Sequence, residues 1–212
     1  MSKRASFRSA ITVALVLLAS LSFAEVGKNT AVLNPNLASE AELTALDGVD
    51  ASTAQAIIDG RPFLDITELE ELLAGRLSDE VRTELYQAVF VPLDLNRASN
   101  ESILLVPGVG RRMAHEFDEY RPYEGMARFR REIGKYVDEH EVARLEQYVF
   151  VPINLNTASE EDIKTIPGVG KRMTHEFLEY RPYRSLEQFR REIGKYVDED
   201  ELARLERFVT LD

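Results

Sequence analysis

The chain has 212 residues, with 26 basic and 37 acidic side chains and a formal net charge of −11. It has no cysteine, which excludes both a disulfide framework and a thiolate metal site. This acidic balance has the wrong sign for binding nucleic acid through overall charge, because such affinity comes mainly from neutralising phosphates. Any contact with phosphate would therefore need a local basic surface.

Residues 1–24 predict a cleaved secretory signal peptide. Lys3, Arg4 and Arg8 precede a short apolar stretch, and Ser22 and Ala24 place small residues where signal peptidase cuts. The apolar stretch is shorter than the roughly 20 residues that span a bilayer, so cleavage is favoured over an uncleaved anchor. We therefore expect a periplasmic or secreted protein. Cleavage would remove three basic groups, leaving a short N-terminal segment, 25–32, before the rest of the chain.

The rest of the chain contains one pattern three times, marked by Asn36, Asn96 and Asn156 at intervals of 60 residues. We call residues 33–92, 93–152 and 153–212 the first, second and third copies. The second begins LDLNRASNESILLVPGVGRRMAHEFDEYRPY, and the third begins INLNTASEEDIKTIPGVGKRMTHEFLEYRPY. Such repetition indicates tandem units that pack on their neighbours. The first copy has 12 acidic and 3 basic groups, net −9, against −2 and −3 in the other two.

The third copy predicts four short helices, over residues 160–165, 171–180, 185–193 and 199–208. Ser159 and Asp162 form a capping-box pattern before the first helix, and Pro167 ends that helix. Val169, between two turn glycines, is expected to fill the core. The joints FVPLDLN and FVPINLN are expected to be extended. The sequence thus predicts an all-α protein of three tandem 60-residue units, each with about four short helices.

The segment PGVG followed by two basic residues, at 107–112 and 167–172, resembles the hairpin of the helix-hairpin-helix family. The wider pattern LNTASEEDIKTIPGVG is similar to the helix-hairpin-helix modules of the ComEA type, the competence DNA receptor. This resemblance implies sequence-independent binding to the phosphate backbone of double-stranded DNA. It makes the second and third copies helix-hairpin-helix units, and the first copy a degenerate acidic one.

The chemistry of the hairpins fits the binding that this resemblance implies. The helix after each hairpin begins with unpaired N–H groups and a dipole that favours an anion. Basic residues oppose that dipole, so their position at the helix start favours an anionic ligand. The predicted phosphate-binding residues are Gly108, Gly110, Arg111, Arg112, Gly168, Gly170, Lys171 and Arg172. Alternatively, the glycines and valine simply make a helix-helix turn.

The first copy replaces this basic hairpin with an acidic one. It has Asp47-Gly48-Val49-Asp50-Ala51-Ser52 at the corresponding place. Two carboxylates beside a hairpin would repel a phosphate, so we predict that the first copy does not bind one.

Other basic residues follow in the second half of each copy, and these are predicted to pair with glutamates on a solvated helix face. They are Arg128, Arg130, Arg131, Lys135, Arg190, Arg191 and Lys195. The second hairpins, residues 134–138 and 194–198, are expected to be weak phosphate sites, because acidic residues that suit a helix start follow them at once.

No catalytic group, metal site or cofactor site is predicted. His115 and His175 precede a glutamate, but no second histidine follows one turn later, so they do not form a metalloprotease motif. We expect both histidines on helix surfaces. The sequence leaves open whether hairpin carbonyls hold a monovalent cation, as they do in some family members.

Two functions remain open. One is an exported, non-enzymatic DNA-binding protein that takes up or retains DNA, with double-stranded DNA as its partner. The other is a protein-interaction scaffold or extrinsic subunit of a membrane or envelope complex, as in PsbU, which uses the same fold without DNA. The net charge and the acidic first copy favour the scaffold, and the two basic hairpins favour DNA. Fold alone does not decide between them. DNA binding is the predicted function, because two copies keep the basic hairpin that the acidic copy has lost, and the scaffold is the alternative.

Overall fold

A computed structural model describes residues 32–211 of the chain. The predicted signal peptide, and all but the last residue of the predicted segment 25–32, lie outside the described residues. The described part is all-α, as predicted, with twelve short helices and four two-residue strands. No helix within residues 32–211 combines the length and apolar character needed to cross a membrane.

The helices recur along the chain with the spacing of the sequence pattern. In the first copy they are α1 Glu40–Thr44, α2 Ala51–Asp59, α3 Ile66–Ala74 and α4 Asp79–Leu85. In the second they are α5 Asn100–Leu104, α6 Arg111–Glu119, α7 Met126–Ile133 and α8 Glu139–Leu145. In the third they are α9 Glu160–Lys164, α10 Lys171–Glu179, α11 Leu186–Ile193 and α12 Glu199–Glu206. The predicted helices of the third copy extend one or two residues too far at some ends, where the backbone leaves the α-helical hydrogen-bond pattern.

Side-chain caps explain where most of these helices begin. Ser159 forms the predicted capping box with Asp162, and Ser39 with Glu42 forms the same arrangement in the first copy. Each cap satisfies backbone N–H groups that the first helical turn leaves without partners. The local sequence therefore determines the helix starts before tertiary packing contributes.

The predicted extended joints form short parallel strand pairs. Strand β1, Leu93–Asp94, pairs with β2, Val149–Phe150, and β3, Ile153–Asn154, pairs with β4, Val209–Thr210. In the first copy a single parallel bridge joins Leu33 to Val89. Each pairing brings the beginning of a copy next to its end. The sequence predicted the extended backbone but not these partners. The division into three independent units stays a prediction.

The asparagine that marks each copy ties two distant loops together. The Asn156 side chain donates to the Tyr183 carbonyl at 2.9 Å, and its oxygen accepts from the Tyr183 N–H at 2.7 Å. The corresponding pairs are Asn36 with Phe63 and Asn96 with Tyr123. One amide side chain thereby both donates to and accepts from the backbone of a residue 27 positions later in the chain. This contact holds the chain before the first helix against the loop after the second.

Aromatic pairs centre the core of the basic copies. Phe117 contacts Phe129 edge to face at 5.2 Å, and Phe177 contacts Phe189 in the same way at 5.3 Å. All four rings are completely buried. Val109 and Val169 are also buried, which confirms that the valine of each hairpin is a core residue. The hairpins are therefore anchored from below while their glycines face outward.

Candidate nucleic-acid interface

Each basic hairpin is a tight turn that only glycine accommodates easily. Gly108 has φ of 79° and Gly168 has φ of 81°, in the left-handed region that side chains with a Cβ disfavour. Gly48 of the first copy has the same conformation at 81°. The turn geometry is therefore common to all three copies. What distinguishes the copies is the chemistry on the turn.

The helices after the two basic hairpins begin without a side-chain cap. Gly110 precedes α6 and Gly170 precedes α10, and no side chain accepts a hydrogen bond from either first turn. Nine of the twelve described helices have a serine or aspartate cap, and α7 is the third without one. The first turns of α6 and α10 also contain no acidic residue. Both helix starts therefore keep their N–H groups for an external acceptor.

The predicted phosphate-binding residues of each hairpin lie together and face outward. All eight are exposed: Gly108, Gly110, Arg111, Arg112, Gly168, Gly170, Lys171 and Arg172. Their four basic side chains form no salt bridge within residues 32–211. The Arg172 guanidinium lies 5.9 Å from the centre of the Tyr196 ring. Positive charge is thus available at both helix starts, although it opposes the helix dipole.

The first copy fills the corresponding place with its own carboxylate. Asp50 caps α2 by accepting a hydrogen bond from the Thr53 N–H at 2.7 Å. This hydrogen bond holds the pKa of Asp50 below its usual value, so the group is charged at neutral pH. An internal anion therefore occupies the helix start that is open in the other two copies.

Sequence reasoning missed one arginine beside each basic hairpin. Nη2 of Arg144 lies 3.1 Å from the position that a Cβ on Gly108 would take, and Nη2 of Arg204 lies 3.0 Å from the same position on Gly168. The available signal was their spacing, because each arginine follows its hairpin glycine by the same number of residues. The first copy has Glu84 at this place. The helix packing that brings α8 and α12 against the hairpins is not visible in the sequence.

The basic residues around the third helices pair with glutamates, as predicted, with the exception of Arg128. Arg128 forms no salt bridge among the described residues, and its Nε is buried there without a hydrogen-bond partner. Arg130 contacts Glu146 at 2.5 Å, and Arg190 contacts Glu206 at 2.5 Å. The further pairs are Arg131 and Lys135 with Glu132, and Arg191 and Lys195 with Glu192. Such neutralised pairs offer less net charge to a phosphate than the hairpins do.

The helix starts after the second hairpins already carry side-chain caps. Asp138 caps α8 and Asp198 caps α12, each accepting a hydrogen bond from a backbone N–H three residues later. These internal carboxylates already use the helix starts, in the same way as Asp50. The first hairpins of the second and third copies are thus the open ones.

The histidines lie on helix surfaces, as expected. Nε2 of His115 lies 3.4 Å from Glu119, and Nε2 of His175 lies 3.3 Å from Glu179. More than two-thirds of each imidazole side chain is exposed. No group of three potential ligands that could hold a metal ion exists within the described residues.

Residues 149–210 match the family model of the helix-hairpin-helix motif. This match covers residues 153–210 of the third copy, including hairpin 167–172 with its uncapped helix start. No curated protein and no solved structure matches the chain significantly. The geometry and the family match together show that residues 149–210 carry a helix-hairpin-helix motif, a motif commonly associated with nucleic-acid binding.

Proposed function

We propose that this is an exported, non-enzymatic protein that binds double-stranded DNA through its phosphate backbone, in the manner of ComEA-like proteins. Hairpins 107–112 and 167–172 would each take one phosphate on the N–H groups at the start of α6 or α10. Contacts of this kind position a protein on DNA without reading the bases. The resulting role is capture or uptake of DNA outside the cytoplasm.

The observation that carries this proposal is the contrast between helix starts. In the first copy Asp50 supplies the anion internally, whereas Gly110 and Gly170 leave the same place open. The open starts are the ones followed by exposed basic pairs that form no salt bridge with any described residue. A structural turn alone would not require positive charge there. An external anion accounts for both the missing cap and the basic pair.

The acidic surroundings are partly neutralised where they border the second-copy hairpin. Residues 107–110 line a groove of about 520 Å³ together with Glu70, Asp79 and Arg82. Arg82 contacts Glu70 at 2.9 Å and Asp79 at 2.9 Å. The groove therefore presents less negative charge than its two carboxylates suggest. This supports the approach of a phosphate despite the net charge of the first copy.

The test is binding of the mature chain, residues 25–212, to a random-sequence duplex, measured by fluorescence anisotropy across a salt series. We expect micromolar or tighter binding that weakens steeply as salt rises, because phosphate contacts release counterions. Two hairpins that reach the same duplex would add avidity. Absence of binding at low salt would contradict the proposal.

The net charge of the first copy supports a second candidate, the protein-interaction scaffold. Its 12 acidic and 3 basic groups would suit a basic segment of a protein partner. This function predicts that the native protein is isolated from membranes in a stable complex without nucleic acid. Nuclease treatment that leaves such a complex intact would favour the scaffold over DNA binding.

A further inference from the structure

We propose that Arg144 is a further phosphate-binding residue of hairpin 107–112, and that Leu37 withholds its counterpart Arg204 from hairpin 167–172. This inference rests on the proposed DNA-binding function. It makes the second-copy hairpin the stronger of two sites that look equivalent in the sequence.

Arg144 flanks the open turn of the second copy. Its Nη2 lies 3.1 Å from the Cβ position at Gly108, and Gly108 and Arg112 are both exposed. About a third of the Arg144 side chain, 32 %, is accessible to solvent. A planar guanidinium at this distance can bind the phosphate that the α6 helix start holds, because its N–H groups match phosphate oxygens in pairs.

A carboxylate holds Arg144 in place and competes for it. Nε and Nη2 of Arg144 donate to the two oxygens of Glu141, each at 2.7 Å. The guanidinium also lies 5.7 Å from the centre of the Tyr148 ring. These contacts orient the side chain before DNA binds. The Glu141 charge nevertheless cancels much of what Arg144 would offer to a phosphate, so removing that charge should strengthen the site.

The same pair exists in the third copy, but it is enclosed. Arg204 donates to both oxygens of Glu201 at 2.7 Å, yet only 2 % of its side chain is exposed. Nη1 of Arg204 is buried without a hydrogen-bond partner in the described part of the chain. A phosphate at hairpin 167–172 would therefore have little access to this charge.

The first copy provides the cover over the third-copy hairpin. Cδ2 of Leu37 lies 3.3 Å from the Cβ position at Gly168. At Gly108 the only neighbour within 4 Å of that position, among the described residues, is Arg144 itself. Leu37 is 43 % exposed, so it lies over the surface of the third copy without being part of its core. This contact has no counterpart at Gly108 among the described residues.

The first copy lacks both the open hairpin and the arginine beside it. Glu84 replaces the arginine and Val81 replaces the glutamate, with Cγ1 of Val81 at 2.6 Å from the Cβ position at Gly48. The copy with an internally capped hairpin thus also has the opposite charge at the arginine position. This fits an arginine that serves the anion site and not the turn, which is formed equally in all three copies.

Matched glutamate variants test the inference, using duplex binding across a salt series and thermal melting as a folding control. Glu141→Gln should tighten DNA binding several-fold and make the salt dependence steeper by about one phosphate contact. Glu201→Gln should leave both unchanged. Arg144→Gln should weaken binding several-fold and flatten the salt dependence. A purely structural arginine would not produce tighter binding when its partner is neutralised.

A further variant tests the cover. In Leu37→Ser the Glu201→Gln change should also tighten binding, because Arg204 becomes accessible. Equal effects of Glu141→Gln and Glu201→Gln in the wild-type background would overturn the difference between hairpins. Unchanged or weaker binding in folded Glu141→Gln would overturn the role of Arg144. If that variant melts early, folded Arg144→Gln with wild-type binding overturns the same role.

The proposed function fails separately from this inference. Wild-type protein that does not bind DNA overturns both. The proposed function stands if the wild-type protein binds DNA and loses this binding when Arg112 and Arg172 are replaced. It stands even if the Glu141 and Arg144 variants bind DNA like wild type. That last result would overturn the Arg144 assignment alone.

Discussion

The carboxylate of Asp50 accepts a hydrogen bond from the Thr53 N–H at 2.7 Å, at the place where the other copies have Gly110 and Gly170. The chain therefore contains its own comparison between an occupied and an open helix start. Because the turn is the same in all three copies, placing an aspartate at Gly110 and Gly170 should convert an open helix start into a capped one.

The double variant Gly110→Asp, Gly170→Asp should separate stability from binding. No atom lies within 4 Å of a Cβ at either glycine, and neither has positive φ, so an aspartate fits. Each new cap should stabilise the fold by about 0.5 kcal/mol. Binding to DNA should fall by roughly tenfold or more, because like charges placed together cost several kcal/mol. Thermal melting and anisotropy measure the two effects.

The matched control for this prediction is the asparagine pair, Gly110→Asn and Gly170→Asn. Asparagine caps a helix about as well as aspartate but carries no charge. It should give the same gain in stability with a smaller loss of DNA affinity. If the aspartate and asparagine variants lose equal DNA affinity, charge repulsion is not the cause of the loss.

The double variant Arg112→Ala, Arg172→Ala should weaken binding to all duplex sequences alike. Both side chains are exposed and lie in the first turn of an uncapped helix. Loss of each phosphate contact should flatten the plot of log affinity against log salt by about one unit. Arg131→Ala is a suitable control, since its side chain pairs with Glu132 at 2.9 Å. An unchanged slope in the double variant would refute the assignment of these two arginines.

Asp94→Asn should stabilise the protein at neutral pH but not in acid. Burial raises the pKa of Asp94, and a hydrogen bond from the Asn96 N–H at 2.9 Å only partly opposes this effect. A raised pKa means that the native state favours the protonated form of the Asp94 carboxyl. This protonated carboxyl contributes stability that is fully present below the unfolded pKa of about 3.9. The contribution is lost as pH rises through the higher native pKa.

Asparagine cannot ionise, so Asp94→Asn does not lose stability as pH rises. Its free energy of unfolding should exceed that of the wild type once pH rises above the unfolded pKa and through the native pKa of Asp94. The third copy already has asparagine at this position, and Asn154 accepts the corresponding hydrogen bond from the Asn156 N–H at 2.8 Å. Denaturant unfolding of both proteins between pH 3 and pH 7 measures the difference. A stability difference that does not change with pH would disprove the desolvation explanation.

Asn156→Ala should lower the free energy of unfolding by about 2 kcal/mol, since it removes two hydrogen bonds to the Tyr183 backbone. Denaturant unfolding measures this loss. The neighbouring exposed Thr157→Ala is the control and should change stability by less than about 0.5 kcal/mol. A loss in Asn156→Ala no larger than in the control would show that the asparagine does not hold the two loops together.

Local sequence determined the helices, the turns and the residues of the open hairpins. Ser159 and Asp162 form the predicted capping box, and Gly108 and Gly168 have the positive φ that the turn requires. Val169 is buried as predicted. These features depend on residues only a few positions apart, whose preferences for caps, turns and burial are strong enough to be read directly.

Only the tertiary structure decided which distant groups meet. Arg144 and Arg204 come from the fourth helix of their copies, so nothing in their local sequence places them beside Gly108 and Gly168. The pairing of Leu93 with Val149, and the approach of Leu37 to Gly168, likewise depend on how the helices pack. Such contacts arise from the burial of apolar surface across the whole fold, which is non-directional and leaves no local pattern. The sequence therefore predicted two equal hairpins, and packing made them different.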